Sequence, residues 1–326
     1  MEKHIKESFN DKHLKRGSEL FGFDESTLEE IGGFENFIYS FIKDDKKYVI
    51  RFVHSDHRTL HELNSEIEFI HYLHENGAKV IVPELSVNGN FVEKIDEAFF
   101  ANIFEYAPGR APGPDDRSPA FFREYGRVMA KMHKLTIDFE PKYKRYSWYE
   151  EKIYADAESY LPKNKKHIYN IFMEQYNELK KLDTPKDSYG LIHTDMHRGN
   201  FFVDDDLNFI VFDFDDCAYK WFIHDIAMVL FYAIWFTPTD EERIDYIMTH
   251  FMEGYNEVYK LDDKWFEVFD KFLKLRQMDL YIVIYRSFDH DNLPEWALKF
   301  IELHEHNIEA REPFTHIDYT KYNKTN

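Results

Sequence analysis

"LIHTDMHRGNFFVDDDLNFIVFDFDDC", residues 191–217, decides how this 326-residue chain is read. Seven aspartates and two histidines stand in it beside Leu191, Ile192, Phe201, Val203, Phe209 and Val211, residue types that want to be buried. "LIH" reads as a strand that delivers His193, with Asp195 at the same parity. A tight turn at Gly199 returns Asn200 toward the same place. "FFV" and "FIVFDF" then form a hairpin around "DDDLN", and Asp213 emerges at the end of its apolar second strand. Carboxylates at strand ends next to a sheet are placed to face a cleft. Asp204, Asp205 and Asp206 are the exception, a solvated hairpin turn.

The bulk numbers narrow the classes. Acidic residues outnumber basic ones by 61 to 41, a net charge of −20. Nucleic acid or an anionic membrane surface as main partner is therefore disfavoured by repulsion. A cationic substrate and a merely solubilising surface both fit. The 31 Phe and 22 Tyr are enough for a substantial core. The single cysteine, Cys217, forms no internal disulfide or cysteine-based zinc site. The opening "MEKHIKESFNDK" shows no secretory signal, and the longest apolar run, "IAMVLFYAIWF" at 226–236, is too short to span a bilayer. The expectation is a cytoplasmic protein.

Around the opening stretch the layout is α+β. "FENFIYSFIKDDKKYVIRFV" reads as a hairpin turning at "KDDKK", preceded by a flexible Gly32-Gly33. Residues 57–76 carry Leu60, Leu63, Ile67, Ile70 and Leu73 at helical spacing, with Gly77 as the stop. "KVIVPELSV", "FVEKI" and "EAFFANIFEY" read as further strands. The Gly/Pro clusters of "APGRAPGPDDRSP", residues 107–119, mark a break. After it helical patterns dominate: the stripe from Phe121 to Met132, then about 148–182, 222–236, 240–260 and 264–285. The expected division is a small N-terminal lobe over 1–106 with one main helix, a hinge at about 104–109, and a larger, mostly helical lobe over 107–326.

One chemistry needs the residues of the opening stretch together. Phosphoryl transfer requires a group that orients and deprotonates the attacking hydroxyl, and oxygen ligands for Mg²⁺ beside the nucleotide phosphates. The template is His-x-Asp, Asn five residues later, then a metal-binding Asp after a hairpin. Here those are His193, Asp195, Asn200 and Asp213. "HTDMHRGN" followed by "VFDFDDC" resembles the aminoglycoside phosphotransferase and choline kinase family. Its usual form is His-Gly-Asp-x-His-x-x-Asn followed by Ile-Asp-Phe-Asp-Asp. "HDIAMVL" downstream resembles that family's Asp-Leu-Ala helix. Within the family the chain looks closest to bacterial stress-response kinases and homoserine kinase-like members. The resemblance implies a bilobal protein-kinase-like fold and an ATP- and Mg²⁺-dependent kinase. It implies Asp195 as catalytic base, Asn200 and Asp213 as metal ligands, His193 bracing the loop and Asp225 anchoring it. Asp215 is a candidate for assisting the metal or facing a substrate amine, and His197 for lining the substrate site.

A kinase of this kind also needs a phosphate cover, a cation for the phosphates and a glutamate to hold that cation. "IGGFENF" is the candidate cover, with the backbone N–H groups of Gly33, Phe34 and Asn36 toward phosphate oxygens. Arg51 stands where the protein-kinase pattern places lysine, between Val49 and Val53 on an apolar face, and so must find an anion. Glu66 is its expected partner and Glu62 the fallback. The backbone of Glu105 and Ala107 in "FEYAPG" is the candidate adenine edge.

The acceptor stays open at this level: an amino alcohol, homoserine-like molecule, sugar, aminoglycoside or protein Ser/Thr. Asp215, Asp216, Asp279, Asp289 and Asp291, with Tyr281, Tyr285 and Trp235, would suit a cationic small molecule. Two rival readings remain. One is a nucleotide-binding regulator without catalysis. The other is a metal-dependent hydrolase using His193, Asp195, His197 and Asp213.

Overall fold

The computed structural model describes residues 3–323; the first two residues of the charged opening stretch lie outside them. The chain forms two compact units. The first comprises 1–111, 139–145 and 201–215, and the second 112–138, 146–200 and 216–326. Compactness thus groups two later segments with the N-terminal residues, which a single break in chain order does not express.

In chain order the first stretch runs α1 (Lys3–Ser8), α2 (Asp11–Phe21), β1 (Glu29–Gly32), β2 (Phe37–Lys43), β3 (Lys46–His54), α3 (Leu60–Glu75), β4 (Pro83–Glu84), β5 (Val92–Lys94) and β6 (Phe99–Glu105). The strands make one antiparallel six-stranded sheet, ordered β1-β2-β3-β6-β4 with β5 also on β6. Asp44 and Asp45 both take positive φ (50° and 59°), the tight hairpin turn whose twist matches the flanking strands. "KVIVPELSV" yields only the two-residue β4, because Pro83 limits what its neighbours can pair.

The sheet is covered on both sides. On one, Ile50 and Phe52 of β3 pack with Phe41, Phe99, Ala101 and Ile103 against Leu20 and Phe21 of α2. The sequence pattern predicts one main helix here, and α2 is a second. Its signals were nonetheless local: Asn10 forms a capping box with His13, and Gly22 ends the helix in the left-handed region. On the other side α3 buries Leu63, Ile67, Ile70 and Leu73. Thr59 and Glu62 make its capping box, so Glu62 is committed to the helix start.

Further along come α4 (Pro119–Thr136), α5 (Lys152–Tyr160), α6 (Lys166–Leu179), β7 (Tyr189–Ile192), β8 (Phe201–Val203), β9 (Phe209–Val211), β10 (Ala218–Trp221), α7 (Phe222–Ile234), α8 (Glu241–Val258), α9 (Lys264–Glu267), α10 (Phe269–Ser287) and α11 (Glu295–Glu309). The pattern over 148–182 is two helices. Leu161 is extended (φ −83°, ψ 141°) ahead of Pro162, as the clash with a proline ring demands. Hairpin β8–β9 belongs to the first unit, where Val80 bridges Val211 and Arg110 bridges Val203.

In the second unit α4 and α8 cross at a pair of glycines. A Cβ on Gly126 would stand 2.1 Å from the Phe251 carbonyl oxygen, and one on Gly254 1.9 Å from that of Arg123. Only hydrogen side chains permit that approach. Helix α7 is apolar on nearly all sides and buried along most of its length, with α10 packed on it. Strand β7 pairs antiparallel with β10, Ile192 opposite Ala218. Among the described residues no helix is long and apolar enough to cross a membrane.

The step out of β7 is strained. Thr194, a β-branched residue, sits at φ +68°, a conformation costing roughly 1–3 kcal/mol outside glycine. This is the position at which the resembled pattern carries glycine. Here two bonds hold it: the Thr194 N–H donates to Asp225 Oδ1 at 2.8 Å, and its Oγ1 donates to the Asp216 carbonyl at 2.8 Å. Thr194→Val keeps the strain and removes the hydroxyl that donates to the Asp216 carbonyl, so urea unfolding should show a loss of about 1–2 kcal/mol. Thr194→Gly removes strain and hydroxyl together and should stay within about 1 kcal/mol of the parent.

Candidate active site

The loop after β7 is built on its own backbone. The His197 N–H donates to the Asp195 carbonyl (2.8 Å) and the Asn200 N–H to that of His197 (2.9 Å). The Asn200 side chain closes the turn, with Nδ2 donating to the Asp195 carbonyl at 2.9 Å. The His193 ring accepts from the Asp195 N–H at 3.3 Å. The Met196 carbonyl accepts from the buried Tyr125 hydroxyl at 2.5 Å. Asp225, with no solvent exposure, takes the Thr194 N–H on one oxygen and meets His133 Nε2 at 3.1 Å with the other.

The Asp195 carboxylate has unequal oxygens. Oδ1 accepts from Arg276 Nη2 at 2.8 Å and from the Tyr232 hydroxyl at 3.1 Å. Arg276 and Tyr232 also bond each other, and the guanidinium lies 5.2 Å from the ring centre. Among the described residues Oδ2 has only long neighbours, His197 Nε2 at 3.4 Å and Asn200 Nδ2 at 3.5 Å. Burial pushes this carboxyl up, but the Arg276 charge and then His197 outweigh it and hold it well below the usual carboxylate range. Neither Tyr232 nor Arg276 was singled out as a site residue from sequence. Both lie on helices whose apolar stripes read as core, and the contact with Arg276 spans 81 positions.

Within the field of Arg276, Asp279 is buried with the Tyr154 hydroxyl 3.3 Å from Oδ2. Burial raises its carboxyl to about 6, against the charges of Lys220 and Arg276. Lys220 is buried as well and is pushed down by that burial. Asp289 and Asp291 are exposed, with the Asp291 N–H on Asp289 Oδ1 in a local turn. His193, Asp195 and His197 make no zinc-type set: among the described residues no three His, Cys, Asp or Glu side chains are placed to hold one ion.

The first unit gathers a second group. Arg51 is buried, its Nη2 2.6 Å from Glu66 Oε2, its Nε 3.2 Å from Asn102 Oδ1 and its Nη1 3.6 Å from Asp215 Oδ1. Burial works against this charge, and Glu66 and then Asp215 more than restore it. Asp215 is itself enclosed, meeting His57 Nε2 at 2.6 Å and Arg58 Nη2 at 3.3 Å. Burial raises its carboxyl, but Arg58, His57 and Arg51 together hold it far down. The structure therefore gives Asp215 three basic partners, not an open face toward a substrate amine. Asp213, two residues earlier, takes φ +64° and adds its charge to the field at Arg51.

The candidate phosphate cover is the loop joining β1 to β2. Gly33 has φ +141°, and a Cβ there would stand 2.1 Å from the Asn36 carbonyl oxygen. Phe34 is half exposed and Asn36 is buried. Ala107 is buried, while Glu105 donates its N–H to the Val82 carbonyl at 3.0 Å. Of the backbone groups assigned to an adenine edge, that N–H is already used.

Known proteins resemble this chain along most of its length. Residues 27–261 match the phosphotransferase enzyme family (APH). Amicoumacin kinase of Bacillus subtilis (strain 168) is 31% identical over 330 residues, covering 98% of each chain. A solved amicoumacin kinase, in complex with AMP-PNP, Ca²⁺ and Ami, is 30% identical with a TM-score of 0.92, covering 98% of this chain and 99% of that one. A microcompartment-associated aminopropanol kinase shares the fold at 20% identity and a TM-score of 0.72, over 91% of this chain and 97% of that one. The protein-kinase-like architecture and the resemblance carried by "HTDMHRGN" and "VFDFDDC" both stand: this chain belongs to the phosphotransferase enzyme family and is a kinase.

Proposed function

We propose that this chain transfers the γ-phosphoryl group of ATP, with Mg²⁺, to a hydroxyl of a small molecule, and that an amicoumacin-type compound is its acceptor. The choice of acceptor rests on likeness to amicoumacin kinases across nearly the whole chain, in sequence and in backbone. The observation that carries the chemistry is the Asp195–Asn200 arrangement. Asn200 spends Nδ2 on the Asp195 carbonyl, and among the described residues no donor meets its Oδ1. An amide oxygen presented in this way is a donor of the kind a hard cation prefers. Asn200 and Asp213 would hold the metal, which when bound neutralises phosphate charge.

In this reading Asp195 receives the acceptor hydroxyl on Oδ2, the oxygen with no short bond, and orients it for in-line attack. His193 and Asp225 keep the loop in shape. Residues of the first unit serve the nucleotide. The N–H groups of Gly33, Phe34 and Asn36 face phosphate oxygens, and Ala107 with the Glu105 carbonyl meets the adenine edge. Arg51 steadies the phosphates through Nη1, the nitrogen with the longest protein contact, while Glu66 keeps its charge in place. Asp215, matched by His57, Arg58 and Arg51, is not the carboxylate that would meet a positive charge on the acceptor.

An acceptor screen by ATP consumption tests the assignment, covering amicoumacin, amino alcohols, homoserine, aminoglycosides, sugars and model proteins. Amicoumacin should be phosphorylated fastest; turnover confined to protein acceptors would overturn the reading. Asp195→Asn should lower kcat by roughly 10²–10⁴-fold while ATP affinity, measured by calorimetry, stays within a few-fold. A collapse of ATP binding would remove Asp195 from the role of base. Asp213→Ala should abolish the Mg²⁺ dependence of nucleotide binding, and an unchanged Mg²⁺ dependence would count against it as a ligand.

A further inference from the structure

We propose that Arg276 and Tyr232 are positioning residues for the transfer, clamping Asp195 by Oδ1 so that Oδ2 alone is presented to the acceptor hydroxyl. The inference rests on Asp195 being the base, as proposed above. A free aspartate side chain rotates about two bonds and offers either oxygen in many directions. Here the two clamps come from different helices, Tyr232 from α7 and Arg276 from α10, and they are bonded to each other as well as to the same oxygen. Each clamp is itself fixed. The Tyr232 ring packs against His197 at 4.5 Å between centroids and against Trp235 at 5.7 Å. The Arg276 side chain is about four-fifths buried, and its Nε is enclosed without a hydrogen-bond partner among the described residues. A guanidinium held in that state is justified by the ion pair it makes with Asp195.

The remaining oxygen has room for one short donor. His197 and Asn200 stand at 3.4 and 3.5 Å from Oδ2, beyond a good hydrogen bond. A hydroxyl arriving there would make the only short bond at that atom. The catalytic value lies in geometry, since misplacing a reacting group by about 1 Å can cost on the order of 10²-fold in rate. Arg276 does this without touching the acceptor, and the same pairing works whichever hydroxyl arrives.

The test measures two reactions of the full chain with Mg·ATP: phosphorylation of amicoumacin, and ATP hydrolysis with water as the acceptor. Arg276→Met, Arg276→Lys, Tyr232→Phe, the Arg276→Met/Tyr232→Phe double variant and Asp195→Asn are compared, with urea unfolding to confirm that each is folded. Arg276→Met should lower kcat roughly 10²-fold in both reactions with KM for ATP unchanged, and Arg276→Lys should recover part of that loss. Tyr232→Phe, which removes only a hydroxyl, should lower kcat less. The double variant should lose less than the product of the two single effects, because both act on one oxygen. The proposal is overturned if Arg276→Met keeps the parent kcat while Asp195→Asn loses it. It is also overturned if Arg276→Met raises only KM for amicoumacin and leaves water hydrolysis intact, which would make Arg276 an acceptor anchor. If Asp195→Asn itself turns over normally, the assignment of the base is what has failed.

Discussion

The carboxylate of Asp225 is wholly enclosed, and the loop that carries Asp195 is hung on it. One oxygen takes the Thr194 N–H and the other faces His133, whose second nitrogen lies 2.8 Å from the Tyr255 hydroxyl. A buried carboxylate without donors would be prohibitively costly, so the donors and the acid fix one another. The consequence is backbone geometry. Thr194 is kept at φ +68°, where a β-branched residue would not stay unaided. From that bend the chain turns so that Asn200 reaches back to the Asp195 carbonyl. The positions of the candidate base and amide ligand are thus set by a charge that need touch neither substrate nor nucleotide.

The first unit solves a related problem with the opposite sign. Arg51 is inserted by strand alternation into an apolar face and carries its charge with it. Glu66 from α3, Asn102 from β6 and Asp215 each face one of its nitrogens. Such a cluster adds little net stability compared with a well-packed apolar one, but breaking one member is expensive, about 3–5 kcal/mol, because the rest are left charged and dry. Asp215 occupies the place where protein kinases carry the glycine of Asp-Phe-Gly. That substitution brings a second anion to the arginine, and His57 and Arg58 then balance it. The planar, delocalised guanidinium of Arg51 can face two carboxylates at once, here Glu66 and Asp215.

What the sequence disclosed follows from how local each signal was. Asp195, Asn200 and Asp213 stand out as candidates because their spacing is short and their residue types are wrong for the strands around them. Glu66 was found because a helical period fixes its face relative to Ile67 and Ile70. Helix α2 is hard to read although Asn10 and Gly22 mark its ends, because Leu14, Leu20 and Phe21 are its only large apolar residues. Pro162 marks a break, but the helical period on both sides of it masks the interruption. Tyr232 and Arg276 had no such signal. Each looks like part of a helix that packs in the core, and only the folded chain brings them, from 37 and 81 positions away, to one oxygen of Asp195. Long-range partnership of this kind is a property of packing, and no pattern of period 2 or 3.6 encodes it.

A base held by an arginine is a weak base, and this bears on the kind of catalysis the proposed assignment permits. With its carboxyl so far below the usual range, Asp195 has little appetite for a proton from an intact alcohol. In a loose, metaphosphate-like transition state the bond to the leaving group is largely broken before the new one forms. The hydroxyl keeps its proton until late, and becomes strongly acidic only once the phosphoryl group has bonded to it. Basicity early in the reaction is then of small use, and alignment is of large use. Arginine supplies the second by giving up the first: it spends Oδ1, fixes the plane of the carboxylate, and leaves Oδ2 to accept a proton that the chemistry itself makes easy to lose. The same charge keeps Asp195 ionised in a partly buried position where burial alone would favour its protonated form.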